Sequence, residues 1–182
     1  IQEINDTLDL ENSIVTHDAG APRDSIVPFY TATVAHSYVG WGKTTHLGFG
    51  IPLMIGAKMA QPDKFCLNLM GDGAFGMSGT DLETAARSGA AITTVLLNNS
   101  AMATYSGPTQ GTIGQEAREI YGVSTMQGDY AKIAEGMGAV GIKVSKVSEI
   151  APALKEAQRL NKDGKTVLID VIANIEHRRS KF

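Results

Sequence analysis

Cysteine is all but missing from this chain of 182 residues: Cys66 stands alone. One thiol excludes an internal disulfide framework, and its place in an apolar run makes it an expected core residue of a protein kept in a reducing cytoplasm. Long apolar runs are missing too, with no stretch of about 18 residues, so neither a membrane span nor a secretory leader is expected. Positive charge is not in excess. With 16 Lys and Arg against 19 Asp and Glu, and a pI near 5.8, a nucleic-acid partner is not expected. Internal repeats, low-complexity tracts and interdomain linkers are absent, so residues 1–182 read as a single domain long enough to bury a real core. The first residue is Ile1 rather than Met, which hints at an expressed segment or a processed piece.

What is present is alternation. Apolar runs at 13–16, 65–70, 92–97, 140–144 and 166–172 read as strands, and segments at 3–10, 47–60, 79–88, 129–137 and 148–160 read as helices. Strands interleaved with helices imply a doubly wound α/β fold, a mostly parallel sheet with helices on both faces. The segment 47–60 is apolar nearly all round and is expected to be buried. Thr80 with Glu83 matches a capping box, and Gly89 stands where a helix commonly stops. Ser148 is placed to cap the last helix, whose first turn tolerates Pro152. Two stretches, Gly20 to Thr45 and Tyr105 to Tyr121, are too rich in glycine and polar residues for regular elements. The tail 176–182 reads as a solvated end.

The run 65–70 leads directly into a Gly71-Asp72-Gly73 turn, and the 24 residues 74–97 separate this triplet from Asn98-Asn99 at the end of the next strand. In a parallel sheet both strand ends lie on one edge, where open α/β folds place their ligands. Glycine lets backbone N–H groups approach a phosphate closely, and Asp72 offers a hard oxygen. A carboxylate with an amide oxygen, completed by phosphate oxygens, suits Mg²⁺ better than zinc or copper. The spacing therefore points to a metal–diphosphate site.

This pattern resembles the diphosphate-binding motif of thiamine-diphosphate enzymes, in which Gly-Asp-Gly is followed at about this interval by Asn-Asn. Upstream, Thr45-His46-Leu47-Gly48-Phe49-Gly50-Ile51-Pro52 resembles a Gly-rich segment of the acetolactate-synthase-like and benzoylformate-decarboxylase-like branch. There one bulky apolar residue lies about 25 positions before the metal aspartate, and Leu47 stands at that place. The resemblance runs over essentially the whole chain and implies the thiamine-diphosphate-binding fold. It implies Mg²⁺ held by Asp72, the Asn99 side chain and the Ala101 main-chain carbonyl. Gly71, Gly73, Ala74, Asn99, Ala101 and Met102 would line the cofactor, with the Gly73 and Ala74 amides facing the diphosphate. The Thr45 carbonyl and Leu47 amide would meet the pyrimidine, and Leu47 would wedge between the two rings. His46, beside Leu47, is the candidate for touching cofactor or substrate, ahead of His36 and Lys43. Side-chain donors that the family often carries after the first strand are missing at Gly20-Ala21-Pro22-Arg23, where Arg23 offers charge instead. Residues 102–120 would close over cofactor and substrate.

In the family, a glutamate from a separate pyrimidine-binding domain activates the cofactor, and no counterpart is read in 1–182. The resemblance therefore implies half a site: the C-terminal domain of a longer enzyme, or a separately encoded subunit, in a homo- or hetero-oligomer. Its substrate would be a small 2-keto acid, decarboxylated and then either protonated or transferred to a second carbonyl. Two other readings stay open. A nucleotide- or phosphosugar-binding α/β domain could use a glycine turn and Mg²⁺, although no P-loop lysine motif is present. A non-catalytic domain that keeps the fold is the other.

Overall fold

The computed structural model describes residues 1–40, 42, 44, 46–101, 120–122 and 125–174. The expectations for Lys43, Thr45, Met102, the tail 176–182 and nearly all of the closing segment 102–120 lie outside the described residues.

Five helix-and-strand alternations were legible and form. The helices are α1 (Gln2–Thr7), α2 (Ala21–Ile26), α3 (Gly50–Ala60), α4 (Asp72–Ser78), α5 (Asp81–Ser88), α6 (Tyr130–Gly136) and α7 (Ile150–Lys162). The strands are β1 (Ser13–His17), β2 (Tyr38–Val39), β3 (Phe65–Gly71), β4 (Thr93–Asn98), β5 (Val140–Val144) and β6 (Val167–Ile172). They make one six-stranded sheet in the order β2-β1-β3-β4-β6-β5, every pairing parallel. From β1 the chain steps outward to β2, then crosses back to β3 on the other side of β1. The strand order therefore reverses between β1 and β3, and open parallel sheets bind ligands at the carboxyl ends of strands at such a reversal.

Both sheet faces are covered, which is why the strands read as near-continuous apolar runs. On one face α3, α5 and α6 bring Ile51, Met54, Leu82, Ala85, Tyr130 and Ala134 against Ile14, Cys66, Met70, Ile92, Leu96 and Leu168. On the other, α1, α2 and α7 bring Ile4, Ile26, Leu154 and Ala157 against Val15, Leu67, Leu69, Val95, Val167 and Ile169. Cys66 is buried as expected, and burial pushes its thiol up to about 11, so it is a packing residue and a poor nucleophile.

Local expectations needed correction. Gly20 to Thr45 is not wholly irregular: Pro22 sits in the first turn of α2, where its missing N–H costs nothing, and Pro22 and Ile26 are buried. Tyr38 and Val39 pair with Val15 and Thr16 as an edge strand. The segment 47–60 becomes helical only at Gly50 and is not buried all round, since Ile51 and Met54 are buried while Pro52, Gly56 and Met59 are exposed. Thr80 is already helical in backbone and its side chain makes no cap bond, so the Thr80–Glu83 capping box is not formed. Gly89 does end α5, in the left-handed conformation at φ 71°. Ser148 caps nothing either. It lies inside a 3-10 turn, Val147–Glu149, and the Glu149 carboxylate caps that turn by accepting from the Ser145 and Lys146 N–H groups.

Candidate functional site

The triplet Gly71-Asp72-Gly73 is not a free-standing turn. Gly71 is the last residue of β3, in register with Leu97 of β4, and Asp72 is the first residue of α4. That register puts Asp72 beside Asn98, Asn99 and the turn that follows them. The Asp72 side chain is buried; its Oδ1 accepts from the Gly73 N–H at 2.8 Å, while its Oδ2 has no partner among the described residues. Burial pushes the carboxyl up, against the pull of the Gly73, Ser100 and Ala101 N–H groups that face it. A buried oxygen without a partner is costly, and a cation would relieve it.

The facing turn is built from two consecutive side-chain-to-backbone bonds. Asn98 Oδ1 accepts from the Ser100 N–H at 3.3 Å, and Asn99 Oδ1 accepts from the Ala101 N–H at 3.0 Å. Ser100 takes the left-handed conformation at φ 54°, which such bonds help to hold. The Ser100 carbonyl accepts from the Met126 N–H at 3.0 Å, and Ala101 bridges Thr125. An amide oxygen has two lone pairs, so Asn99 Oδ1 can accept a second contact besides the Ala101 N–H. Among the described residues no three His, Cys, Asp or Glu side chains converge on a possible metal position. A cation here would draw on Asp72 together with amide, carbonyl and ligand oxygens, the donor set of a hard divalent ion.

Leu47 is half-buried against the α3 face of the core, His46 beside it is exposed, and Gly48 takes φ 88°. A Cβ on Gly48 would come within 3.3 Å of both Met77 and Ser78, so glycine lets this loop lie directly on α4. Gly50 is equally constrained, because a Cβ there would collide with the Asn68 amide. His36, also left-handed at φ 63°, is exposed. Arg23 pairs with its neighbour Asp24 at 2.9 Å.

One acid that organises this region escapes sequence reasoning. Asp18, one residue beyond β1 and fully buried, accepts from the Ala19 N–H at 2.8 Å, from the Gly48 N–H at 2.9 and 3.2 Å, and from the Gly50 N–H at 3.0 Å. Its own N–H donates to the Leu69 carbonyl of β3 at 2.7 Å. Asp18 therefore clamps the Leu47–Gly50 loop to the strand end next to Asp72. The only sequence signal was an acid at a strand end, which is also an ordinary turn residue. Tyr130 closes the far side, its ring edge-on to Phe75 at 5.4 Å; burial raises its phenol, and the Asp72 and Asp170 carboxylates add to the shift.

A cavity of about 820 Å³ lies elsewhere, at the amino-terminal ends of the strands, between Asp9, Lys58, Lys64, Gly89 and Asn161. It is distant from the reversal point. Its Lys58 and Lys64 ammonium groups already donate to the Lys64 and Glu11 carbonyls.

Gly71, Gly73 and Gly76 also fall at the Gly-x-Gly-x-x-Gly spacing of dinucleotide-binding turns, after a strand and opening a helix. Glycine spacing alone does not separate the two ligand classes. The end of β4 does, because it carries Asn98 and Asn99 where a dinucleotide site needs a ribose-binding acid.

Residues 18–171 match the family model described as thiamine pyrophosphate enzyme, C-terminal TPP binding domain. The chain is similar to the acetolactate synthase large subunit of Corynebacterium glutamicum, 34% identical over 69% of this chain and 20% of that protein. It is similar to the sulfoacetaldehyde acetyltransferase of Alcaligenes xylosoxydans xylosoxydans, 32% identical over 71% of this chain and 21% of that one. The matched part thus spans about a fifth of the length of these relatives. In fold it is similar to the thiamine diphosphate-dependent 4-hydroxybenzoylformate decarboxylase of Rhodococcus jostii RHA1, with a TM-score of 0.77 at 24% identity over 97% of this chain and 32% of that chain.

Proposed function

The chain belongs to the thiamine pyrophosphate enzymes through their C-terminal TPP-binding domain, and from that premise we propose that it is the diphosphate- and Mg²⁺-binding half of an acetolactate-synthase-like enzyme acting on 2-keto acids. The observation that carries the metal assignment is Asp72 Oδ2, a buried carboxylate oxygen without a partner among the described residues, facing the Asn99–Ala101 turn. Asp72, Asn99 Oδ1 and the Ala101 carbonyl would hold Mg²⁺, and the Gly73 and Ala74 amides would face the diphosphate. By the same resemblance Gly71 would line the cofactor, as would Thr45 and Met102, which lie outside the described residues. Leu47 would contact the cofactor rings, and His46, exposed beside it, would be the side chain nearest the substrate. When bound, thiamine diphosphate supplies the electron sink for decarboxylation, and the protein orients it and excludes water.

The second half of the site comes from a pyrimidine-binding domain or subunit that brings the activating glutamate, in a homo- or hetero-oligomer. Two observations support a missing partner: the chain matches about a fifth of its relatives' length, and Val27, Phe29, Met59 and Met77 are exposed. Alone the chain binds cofactor weakly and turns over negligibly. No helix among the described residues is long and apolar enough to cross a membrane, and we place the activity in the cytoplasm.

Titration calorimetry with thiamine diphosphate, ADP and NAD⁺, each with and without Mg²⁺, tests the assignment. Wild type should bind thiamine diphosphate only with Mg²⁺, and Asp72→Ala should abolish that binding. Preference for ADP or NAD⁺ would overturn the cofactor, and robust keto-acid decarboxylation by the chain alone would overturn the half-site.

A further inference from the structure

Among the described residues Asp170 is the one carboxylate in the middle of a sheet strand. It lies on β6 in register with Leu96 of β4 and Lys143 of β5, is fully buried, and has an Oδ2 without a partner among the described residues. An apolar side chain would be the stable choice there, because burying a carboxylate is expensive unless its hydrogen bonds are met. Its Oδ1 accepts from Asn98 Nδ2 at 3.0 Å.

The chemistry of that contact is directional. A carboxylate only accepts, so it must face the NH₂ end of the Asn98 amide. The opposite end, Asn98 Oδ1, is thereby turned towards Ser100, where it accepts from the N–H at 3.3 Å and from Oγ at 3.4 Å. With the amide reversed, NH₂ would meet the Ser100 N–H, donor against donor. Ser100 is the left-handed residue of the turn that presents Asn99 and Ala101 to Asp72.

We propose that Asp170 is a positioning residue for the metal-facing turn: by fixing the orientation of the Asn98 amide it sets Ser100, and through it Asn99 and the Ala101 carbonyl. Its link to a metal rests on the function proposed above; its hold on the turn does not. A residue that merely filled space would be replaced without effect by asparagine, which has the same shape. An orienting carboxylate would not, since an amide at 170 can present its own NH₂ and let Asn98 reverse.

The test is a swap in the full chain, read by amide hydrogen exchange. Asp170→Asn should speed exchange of the Ser100 amide by about tenfold while the Val95 and Leu96 amides of β4 keep their protection. Asn98→Asp alone sets two carboxylates against each other and should loosen the turn further. The double variant, Asp170→Asn with Asn98→Asp, restores a donor facing an acceptor and leaves an oxygen for Ser100, so protection should return to within about threefold of wild type. Unchanged Ser100 exchange in Asp170→Asn, no recovery in the double variant, or equal loss along all of β4 and β6 would each overturn the proposal. Mn²⁺ binding in the presence of thiamine diphosphate, followed by electron paramagnetic resonance, is the second readout, and Asp170→Asn should weaken it about tenfold. If wild type binds no Mn²⁺, the proposed function fails while the exchange result still decides the role of Asp170.

Discussion

At the scale of single residues, the region is held by side-chain oxygens that take up backbone N–H groups. Asp18 shows how much one side chain does. Its carboxylate serves three amides from two loops, and bonds to a charged acceptor are worth about 1.5–3 kcal/mol each. Asp18→Leu strands all three amides in a buried place and should cost about 3–5 kcal/mol by urea denaturation, whereas Asp18→Asn, which keeps one acceptor oxygen, should cost about half as much. Equal small losses for both would show that the clamp contributes little. Of these residues, Asp72 and Asn99 were legible in the sequence because their spacing is fixed by one helical crossover between adjacent strands. Asp18 was not, since its partners Gly48 and Gly50 lie 30 and 32 residues away. Asp170 was hidden inside an apolar run whose period reports burial and says nothing of what a buried acid faces.

At the scale of elements, the five longer strands and the longer helices followed from periodicity, because both depend on which side chains meet the core. The C-terminal stop at Gly89 followed, but the N-terminal caps did not, because they depend on one side-chain rotamer and on where the helix begins within a residue or two. Two substitutions separate the motif from the structure. Thr80→Ala should leave the unfolding free energy within about 0.5 kcal/mol, since no cap bond is lost there, while Glu149→Ala should cost about 1 kcal/mol by releasing the Ser145 and Lys146 amides. Thermal or urea unfolding of both variants checks the pair, and a reversed order would mean that α5 and α7 start elsewhere. Helix α2 was missed because six residues containing Pro22 carry no periodic signal; its stability comes from the burial of Pro22 and Ile26 against the sheet.

At the scale of the whole molecule, His17 links the reversal point to solvent pH. It is 3% exposed, its Nδ1 donates to the Asp18 carbonyl at 3.0 Å, and its ring lies 5.8 Å from that of Tyr38 and 6.1 Å from that of Phe49. Burial lowers its pKa from 6.5. Between the lowered folded value and 6.5 the unfolded chain binds the extra proton, so stability is complete above 6.5 and declines as pH falls, by at most about 1.4 kcal/mol per pH unit. His17→Gln should flatten that slope in urea unfolding measured from pH 7 downwards, and an unchanged slope would assign it to other groups. The strand order was legible only as a class, because which strands neighbour one another depends on crossover direction, which no local pattern records. The most far-reaching feature of this chain is that its donors and acceptors at the strand ends are mostly main-chain groups, held by a few acids, amides and glycines. Such a cradle follows the path of the backbone, so most surrounding side chains can change, as they have in relatives 32% and 34% identical to this chain, without removing the groups that form it.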